Sequence, residues 1–500
     1  MEFTTRVELP HLKSQNASPV LHMVCGPPGA PAFTTENHES LISLKNEIER
    51  IAPINTWDDA KKITNPYEFV FLSLQKRMHR SIAALQPLSR SYFKMLELWD
   101  LLELPRRPLN TAHTAEGPGG FIEATLTRAP GSRSIAMTLR STERTIPGWR
   151  KSQAFLTANP TVAITYGADD TGNLYSLDNQ LAFATASCSH FNGESADIYT
   201  ADGGFDFSTD YNGQENTVQR LLAAEALAGL QVLRAGGTMI LKVFDTTQVT
   251  TLQMLWMLGT CFDRTTLIKP HTSRPANSER YLIGTGLRCS PASPWVVAVL
   301  TLMTTTDAPQ GWSSLFETTV WPEEWLSKVR GFQQAVENLQ FASIQMTLNI
   351  IRSPTRSRIQ ELLLTNVRQS RAWCRLHEIP ENAALRDLTD EQIASLNLEE
   401  ALAPFQAAVA RTNLPVLFRQ SPTPHAPNVC PPLRPPAVPA WRSALPPSIR
   451  DPGASRTSGD TPPPMMQVRP GFRGGPAHVS VPPVPPGSSD GSQWSDDSHE

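Results

Sequence analysis

The sequence lacks the cysteine patterns that would indicate a disulfide framework or a bound metal. It is 500 residues long and has six cysteines, with no CxxC pair and no Cys/His spacing typical of metal ligands. Scattered single cysteines are typical of reduced thiols in a cytosol-like compartment. We therefore predict buried, unpaired thiols and no metal site. The cysteines are Cys25, Cys188, Cys261, Cys289, Cys374 and Cys430.

Long apolar runs are also missing, and so is a strong charge of either sign. No run reaches the roughly 20 apolar residues that a membrane helix needs. The first ten residues, MEFTTRVELP, contain no apolar core of a secretory signal. The formal net charge is only −3, so any surface for nucleic acid must be a local patch. These absences predict a chain that is neither secreted nor membrane-spanning.

Composition divides the chain into five regions. The first is mixed, the second and fourth have helical periodicity, the third alternates β-rich and helical runs, and Pro, Gly and Ser dominate the last. Such a last region buries too little apolar surface to offset chain entropy, so we predict a disordered tail. The regions are 1–40, 41–107, 108–303, 304–420 and 421–500, with helical periodicity in the fourth beginning at about 312.

The third region predicts an α/β fold. Its helix candidates are Phe121–Arg128 and 216–236, and Gly236-Gly237 is a plausible C-cap for the second. Alternation of strands and helices is typical of a doubly wound sheet, which binds ligands at the carboxyl ends of its strands. The strand candidates are 111–115, 134–139, 162–166, 196–201, 238–244, 266–270, 281–287 and 295–302.

A glycine-rich turn, TAEGPGGF at 114–121, overlaps the end of the first strand candidate. Glycines at a strand end allow the backbone to approach another group closely. The turn has neither the G-x-G-x-x-G spacing of dinucleotide-binding folds nor the Gly-Lys-Ser/Thr of a phosphate-binding loop. It suits a nucleoside ligand without phosphates, such as S-adenosylmethionine, and a purely structural turn is the equal alternative.

Four charged residues lie beside predicted elements elsewhere in the chain. Lys94 falls one turn into an amphipathic helix, and Asp202 directly follows the strand candidate 196–201. Lys242 lies inside an apolar strand, and Glu279 lies just before another one. A single lysine in a strand is more often an edge residue that extends to solvent, and a single aspartate after a strand is more often a turn former.

Taken together, these segments resemble the FtsJ-like, or RrmJ-like, ribose 2′-O-methyltransferases. The motifs, in chain order, are SRSYFK at 89–94, EGPGGF at 116–121, ADGGFDF at 201–207, LKVFD at 241–245 and SRPANSE at 273–279. The resemblance covers about 60–300. It implies a Rossmann-like methyltransferase sheet with a helical N-terminal lead-in and a helical C-terminal extension. The implied catalytic tetrad is Lys94, Asp202, Lys242 and Glu279.

The same resemblance implies S-adenosylmethionine as the cofactor and indicates where it binds. The glycine-rich turn would line its methionine and ribose portions, and Asp169 would hydrogen-bond the adenine amino group. A simple turn role is the alternative for Asp169, and Asp170 stands where the family usually has glycine. The residues of the turn are Glu116, Gly117, Pro118, Gly119, Gly120 and Phe121.

Flanking segments resemble the cap-modifying branch of the family. TWDDAKKITNPYEFVF at 56–71 and YGADDTGNLY at 166–175 are similar to segments of viral and eukaryotic cap methyltransferases, and IAMTLRSTERTIPGW at 135–149 to viral ones. The resemblance implies capped RNA as substrate, methylated at the first transcribed nucleotide, and a viral protein of the host cytoplasm or virion. The Pro-rich tail is a candidate contact for other viral replication or capping proteins. Internal or ribosomal ribose methylation and a catalytically idle RNA-binding scaffold are the alternatives.

The family mechanism assigns Lys242 as the base or orienter of the 2′-hydroxyl, positioned by Lys94 and Glu279, with Asp202 bridging lysine and substrate. We expect burial, Lys94 and the sulfonium to lower the pKa of Lys242 from about 10.4, against the two carboxylates. No sequence motif identifies the residues that contact RNA. Phosphate binding and a solvated basic surface are equal alternatives for the basic residues, whereas Tyr92 and Trp149 favour packing over base stacking. The basic residues are Lys61, Lys62, Arg90, Arg140, Arg144, Arg150 and Lys151.

Overall fold

The computed structural model describes residues 6–12, 19–51, 56–72, 81–143, 146–205, 212–290, 292–317 and 321–411. The predicted disordered tail, Cys430 and Arg144 lie outside these residues. The strands of the described part are β1 (Arg6–Leu9), β2 (Leu21–Cys25), β3 (Asn110–Thr114), β4 (Arg133–Met137), β5 (Val162–Thr165), β6 (Ala196–Ala201), β7 (Leu233–Val243), β8 (Phe262–Ile268), β9 (Arg280–Leu287) and β10 (Trp312–Phe316).

Helices separate most of these strands. They are α1 (His38–Ile51), α2 (Thr56–Ile63), α3 (Ser91–Leu101), α4 (Gly120–Arg128), α5 (Gln153–Ala158), α6 (Leu177–His190), α7 (Gln214–Thr217), α8 (Gln219–Val232), α9 (Val249–Cys261), α10 (Pro294–Thr305), α11 (Glu323–Arg352), α12 (Arg356–Leu376) and α13 (Asp390–Arg411). None of the helices in the described residues is long and apolar enough to cross a membrane.

Eight strands form one sheet in the order β1-β8-β9-β7-β6-β3-β4-β5. The five strands from β7 to β5 in this order are parallel, whereas β9 runs antiparallel to β7 and β8, and β1 runs antiparallel to β8. The chain moves outward from β3 to β5 and then returns to β6 on the other side of β3. The carboxyl ends of β3 and β6 therefore form a topological switch point, where open α/β sheets bind ligands. The predicted doubly wound α/β sheet is confirmed.

Helices cover both faces of the sheet. Alternate side chains of β7 pack against the helices on one face or the other. Met239, Leu241 and Val243 pack into the core that contains α8, α9 and α10. Ile240 packs into the core that contains α3, α4 and α12. Because alternate residues of a strand point to opposite faces, Lys242 lies on the face of Ile240 and therefore of α3.

The predicted strand at 295–302 is wrong, because this segment lies in α10. Pro294 occupies the first turn of the helix, where no N–H donor is required. Val296, Val299 and Met303 are buried at helical spacing. A short apolar run fits a buried strand and a buried helix equally well, and here the preceding proline was the better signal.

The predicted C-cap at Gly236-Gly237 is also wrong, because α8 ends at Val232 and β7 begins directly after it. The pairing of β7 with β6 shifts register between Ala196 and Ile198. Gly236 has a φ of 76°, which suits glycine in the irregular part of a strand.

Three short strands lie where the sequence pattern predicts none. β1 and β2 lie in the mixed segment 1–40, and β10 lies in the region predicted to be helical. β10 pairs with β2 in a separate two-stranded sheet. Strands of four or five residues are too short to establish a periodicity of two. The predicted boundaries of the five regions stay a prediction.

The cysteines of the described residues are all unpaired. Cys261 and Cys374 are buried, as predicted, but Cys25, Cys188 and Cys289 are exposed. The prediction of burial is wrong for these three because they lie on the surface of β2, of α6 and of the segment after β9.

Candidate active site

Four charged side chains from separate motifs meet at the carboxyl edge of the sheet. Asp202 directly follows β6, Lys242 is the penultimate residue of β7, and Glu279 directly precedes the antiparallel β9. Lys94 reaches the same edge from α3, which covers the face to which Lys242 points. The charges of Asp202 and Glu279 both act on Lys242, so the group forms one electrostatic unit.

Lys94 and Glu279 form one of two ion pairs in this group. The Nζ of Lys94 lies 2.8 Å from Oε1 of Glu279 and donates a hydrogen bond to Oε2 at 2.9 Å. Burial disfavours the charged carboxylate, but Lys94 and Lys242 outweigh burial and hold the pKa of Glu279 well below its usual range. Glu279 is therefore ionised at neutral pH.

Lys242 and Asp202 form the second ion pair. The Nζ of Lys242 donates to the backbone carbonyl of Asp202 at 2.6 Å and lies 3.3 Å from its Oδ1. The hydroxyl of Tyr281 donates to the same Oδ1 at 2.8 Å. A Cβ on Gly204 would lie 3.3 Å from the Nζ of Lys242, so glycine there leaves room for the ammonium group.

The protein's own groups raise the pKa of Lys242. Burial lowers it, but the carboxylates of Asp202 and Glu279 outweigh burial. The expected lowering depends in part on the sulfonium of a bound cofactor, so it stays a prediction for the cofactor-bound protein. Lys242 is therefore a cation at neutral pH.

A third lysine supports the backbone of Glu279. The Nζ of Lys269 donates at 2.9 Å each to the carbonyl of Glu279 and to the carbonyl and side-chain oxygens of Asn277. Burial lowers the pKa of Lys269 to about 7. No sequence motif indicated this lysine, because it stands at the end of an ordinary apolar run.

The arginines of the two SR motifs meet on one buried carboxylate. Arg90 lies 3.0 Å from Oε1 of Glu68, and Arg274 donates to both carboxylate oxygens at 3.2 Å. Burial opposes ionisation, but the two arginines lower the pKa of Glu68 to about 2. This cluster joins the lead-in to the two motif-bearing segments, so the guanidinium of Arg90 is already engaged within the protein.

The glycine-rich turn packs closely against the protein itself. Gly119 has a φ of 106°, which favours glycine. A Cβ on Gly120 would overlap the hydroxyl of Ser91 in α3, and one on Gly117 would lie 2.8 Å from the carbonyl oxygen of Pro147. Two of the three glycines are therefore needed for packing, in line with the structural alternative for this turn.

Two side chains of the turn point inward rather than toward the sheet edge, and the prediction that the turn lines the cofactor stays a prediction. The buried carboxylate of Glu116 lies 3.1 Å from Nδ1 of His113 and accepts a hydrogen bond from the hydroxyl of Thr200. Phe121 is buried and packs on Tyr281 with ring centroids 5.9 Å apart. Phe121 points inward because α4 begins at Gly120 and directs the side chain of the next residue into the core.

The loop after β5 carries the predicted adenine ligand, Asp169, in an exposed position. Its Oδ1 accepts hydrogen bonds from the N–H and hydroxyl of Thr171 at 3.0 and 2.6 Å. Asp170 has a φ of 62°, a left-handed conformation that glycine adopts best and aspartate tolerates. Asp170 also pairs with Arg140, which lies 4.7 Å from the ring centre of Tyr166. The turn thus forms without the usual glycine.

Most of the other residues considered for RNA contacts are engaged within the protein. Lys61 and Lys62 pair with aspartates one turn earlier in α2. Arg150 donates to three backbone carbonyls of the preceding loop. Tyr92 and Trp149 are buried, so the packing alternative is confirmed for both. Among the residues that the structure describes, no group of His, Cys, Asp and Glu is arranged to hold a metal ion.

The structure also reveals a buried carboxyl group, that of Glu225, which none of the sequence motifs contains. Glu225 lies on α8, is buried, and accepts a hydrogen bond from the N–H of Gly203 at 3.1 Å. Tyr281 could have been found from the sequence, because it lies two residues after Glu279 and alternation puts both on one face. Glu225 could not, because its helix is apolar on most sides.

The sheet order, the glycine-rich turn at the switch point and the charged group beside it define a Rossmann-like methyltransferase fold. Residues 87–287 match the FtsJ-like methyltransferase family. The chain therefore contains an FtsJ-like methyltransferase domain, as the sequence motifs predicted.

Curated relatives share part of this domain. The chain is 35% identical over 182 residues to cap-specific mRNA (nucleoside-2′-O-)-methyltransferase 1 of Xenopus laevis, covering 35% of this chain and 21% of that protein. The protein of the same name from Homo sapiens is 34% identical over 182 residues, which again cover 35% of this chain and 21% of that protein. The one from Drosophila melanogaster is 32% identical over 186 residues, covering 37% and 23%. The chain thus spans about a fifth of the length of these relatives.

Solved structures also align with this chain. A ribosomal RNA methyltransferase from Plasmodium falciparum aligns at 17% identity over 40% of this chain and 98% of its own, with a TM-score of 0.28. A 1,6-didemethyltoxoflavin-N1-methyltransferase from Burkholderia thailandensis, solved with S-adenosylhomocysteine, aligns at 13% identity over 57% and 100%, with a TM-score of 0.25.

Proposed function

We propose that this chain is an S-adenosylmethionine-dependent methyltransferase that acts on the ribose 2′-hydroxyl of the first transcribed nucleotide of capped RNA. The observation that carries this proposal is the meeting of two lysines and two carboxylates at one sheet edge of an FtsJ-like domain. Lys94 and Glu279 are 185 residues apart in sequence. A protein that only bound RNA would have no need to bring two part-buried ion pairs together there.

The proposed chemistry divides among these four residues. S-adenosylmethionine supplies a methyl group on a positively charged sulfur. Because Lys242 is a cation, its first role is to orient the 2′-oxygen by a hydrogen bond and to stabilise the negative charge that develops there as the hydroxyl proton passes to the Asp202 carboxylate and then to solvent. Asp202 connects Lys242 to the substrate hydroxyl. Lys94 and Glu279 position Lys242 through the electrostatic coupling described above.

The residues at the switch point fit such a cofactor. No side chain caps the N-terminus of α4, and the loop that carries the exposed Asp169 follows β5 at the same edge of the sheet. We propose that the backbone of Gly117, Pro118 and Gly119 contacts the methionine and ribose portions and that Asp169 binds adenine. The residues that would support the turn from within are Glu116, Gly120 and Phe121.

Capped RNA is the proposed substrate because curated relatives at 32–35% identity are named as cap-specific mRNA methyltransferases. The similar segments 56–71, 135–149 and 166–175 support the same branch of the family. The viral source, the host cytoplasm or virion as location, and contacts of the tail with other viral proteins stay predictions.

One assay tests the proposal directly. The full chain is incubated with labelled S-adenosylmethionine and one RNA sequence bearing an N7-methylated cap, an unmethylated cap or a 5′-triphosphate. Digestion to nucleotides should locate the label on the first ribose of capped RNA, and Lys242→Ala should abolish it. Label at internal riboses or on uncapped RNA would favour the internal-site alternative. RNA binding without any transfer would favour the scaffold.

A further inference from the structure

Glu225 is a buried carboxyl group directly behind the proposed active site. It is 1% exposed, and its Oε1 accepts the N–H of Gly203 at 3.1 Å. Gly203 follows Asp202, whose carbonyl accepts the hydrogen bond of Lys242 at 2.6 Å. Glu225 thus holds the amide next to the carbonyl that fixes Lys242.

Only glycine at position 203 permits this close approach. A Cβ there would overlap Oε1 of Glu225 and would lie 3.1 Å from the Cβ of Ala115. Ala115 is the first residue after β3 and begins the glycine-rich turn. The carboxyl group of Glu225 therefore lies where the segment of Asp202 and the proposed cofactor turn adjoin.

The surroundings of Glu225 favour its neutral form. Burial, Asp202 and Glu116 outweigh the attraction of Lys242 and raise the pKa of Glu225 to about 8. A neutral acid still has an oxygen that accepts the N–H of Gly203, but it adds no negative charge to the two ion pairs. The titratable groups that face it are Lys242, Asp202, Glu116, Tyr175 and Tyr199.

We propose that Glu225 is a positioning residue, whose carboxyl oxygen holds the Gly203 amide and, through it, Asp202 in the place that fixes Lys242. This inference rests on the proposed methyl transfer and adds a residue that none of the sequence motifs contains. An ionised Glu225 would compete with Asp202 for the ammonium of Lys242. The Gly203 amide needs only an acceptor oxygen, and the neutral acid supplies one without this competition.

Two substitutions at this position separate the acceptor from the charge. Glu225→Gln keeps a neutral acceptor of the same shape, so kcat should stay within about twofold of wild type. Glu225→Leu leaves the Gly203 amide without a partner, so kcat should fall roughly 10- to 100-fold while KM for S-adenosylmethionine changes little. The kcat of wild type should decline above about pH 8, where Glu225 ionises, and Glu225→Gln should lack this decline.

Glu215 provides a matched control. It is another buried glutamate whose pKa burial raises, and it accepts the N–H groups of Thr247 and Gln248. Glu215→Gln should retain the wild-type pH profile of kcat. The same alkaline decline in wild type and Glu225→Gln would overturn the proposal, and so would a folded Glu225→Leu with wild-type kcat. If Glu225→Leu does not fold, the pH profile of Glu225→Gln decides.

Failure of this inference is distinguishable from failure of the proposed function. Wild type that transfers no methyl group to any RNA contradicts the function itself. Hydrogen exchange of the peptide 196–205 then tests the positioning alone, since Glu225→Leu should accelerate exchange there and Glu225→Gln should not. The melting temperature gives a second readout. The wild-type value should fall relative to Glu225→Gln between pH 5 and pH 8, because a raised carboxyl pKa removes stability as pH rises through it.

Discussion

Lys242 is the residue at which the proposed chemistry and the electrostatics of the fold meet. Lys242→Ala should reduce methyl transfer by roughly 10²- to 10³-fold, the usual cost of losing a group that stabilises developing negative charge. Binding of S-adenosylhomocysteine should stay within several-fold, because its proposed contacts lie in 117–119 and at Asp169. Transfer assays and calorimetry on the same protein measure the two effects.

Lys242→Arg is the matched variant that keeps the positive charge. Transfer should fail here too, because a planar guanidinium is larger than an ammonium group and cannot take its place in the 2.6 Å contact with the Asp202 carbonyl. Near-normal turnover would mean that any positive charge at this position suffices and that the contact with the Asp202 carbonyl is not needed. Loss of cofactor binding by either variant would contradict the division between catalytic and cofactor residues.

Tyr281 gives a second prediction at this scale. Tyr281→Phe keeps the buried ring but removes the hydroxyl that donates to Asp202 at 2.8 Å. We expect kcat to fall about tenfold, which corresponds to roughly one hydrogen bond to a charged group. Tyr92→Phe is the control, because that hydroxyl bonds to Thr127, away from the tetrad. Equal kcat values for the two variants would exclude a role for the Tyr281 hydroxyl.

The sequence predicted the meeting of the four charged residues but not the groups that hold them. The four lie in motifs whose positions beside strands are readable from local pattern. Glu225 and Lys269 lie in ordinary apolar stretches, and their significance comes from contacts with Gly203 and Glu279. Local periodicity contains no information on such contacts, so only the folded structure reveals them.

At the scale of elements, Glu97 joins α3 to the segment before β9 and to α12. Its buried carboxylate accepts two hydrogen bonds from His271, two from Thr272 and one from Trp373. Burial opposes ionisation, but His271 outweighs it and lowers the pKa of Glu97 to about 2, while Glu97 raises the pKa of His271. These contacts of Glu97, which we call the ionic clamp, hold α3 and with it Lys94 against the sheet.

Glu97→Gln should destabilise the protein by roughly 3–5 kcal/mol near pH 6. The lowered pKa of Glu97 gives stability that is present above its usual value of 4.5 and is lost as pH falls toward 2. The raised pKa of His271 gives stability that is lost as pH rises through it. The difference in melting temperature should therefore be largest near pH 6 and smaller near pH 3.5. A difference independent of pH would contradict an ionic clamp.

Gly120 sets the contact between α3 and α4. Gly120→Ala should lower stability by roughly 1–3 kcal/mol, because the new methyl group overlaps the hydroxyls of Ser89 and Ser91. Gly148→Ala is the control, since a Cβ there meets nothing within 4 Å. Denaturant unfolding of both variants measures the effect. Equal stability would mean that α3 shifts at no cost.

Element types were predicted where length and flanking residues agreed with the pattern. The parallel strands β3 to β7 were located by apolar runs bounded by turns. The segment 295–302 was assigned wrongly because its apolar run is nearly continuous, so its period does not distinguish strand from helix and only the preceding Pro294 indicated a helix. The extension of β7 to Leu233 depends on a register shift against β6, which no single strand reveals.

At the scale of the whole molecule, the tail 421–500 can be tested by deletion. Its Pro, Gly and Ser content predicts that it adds nothing to the active site. A chain ending at residue 420 should transfer methyl groups to short capped RNA within a few-fold of the full chain. A folded truncation without activity would mean that the tail completes the site.

The pairing of β1 with β8 has a consequence for the order in which the chain folds during synthesis. Arg6 pairs with Ile268, so β1, which precedes the other strands of this sheet in sequence, waits for a partner that is about 260 residues further along. At ribosomal rates of roughly 5–20 residues per second, that delay is on the order of tens of seconds. During this interval the central parallel strands can assemble without β1. The strand β1 is then added to a sheet edge that already exists, so it is among the last strands of this sheet to become native although it is translated before the others.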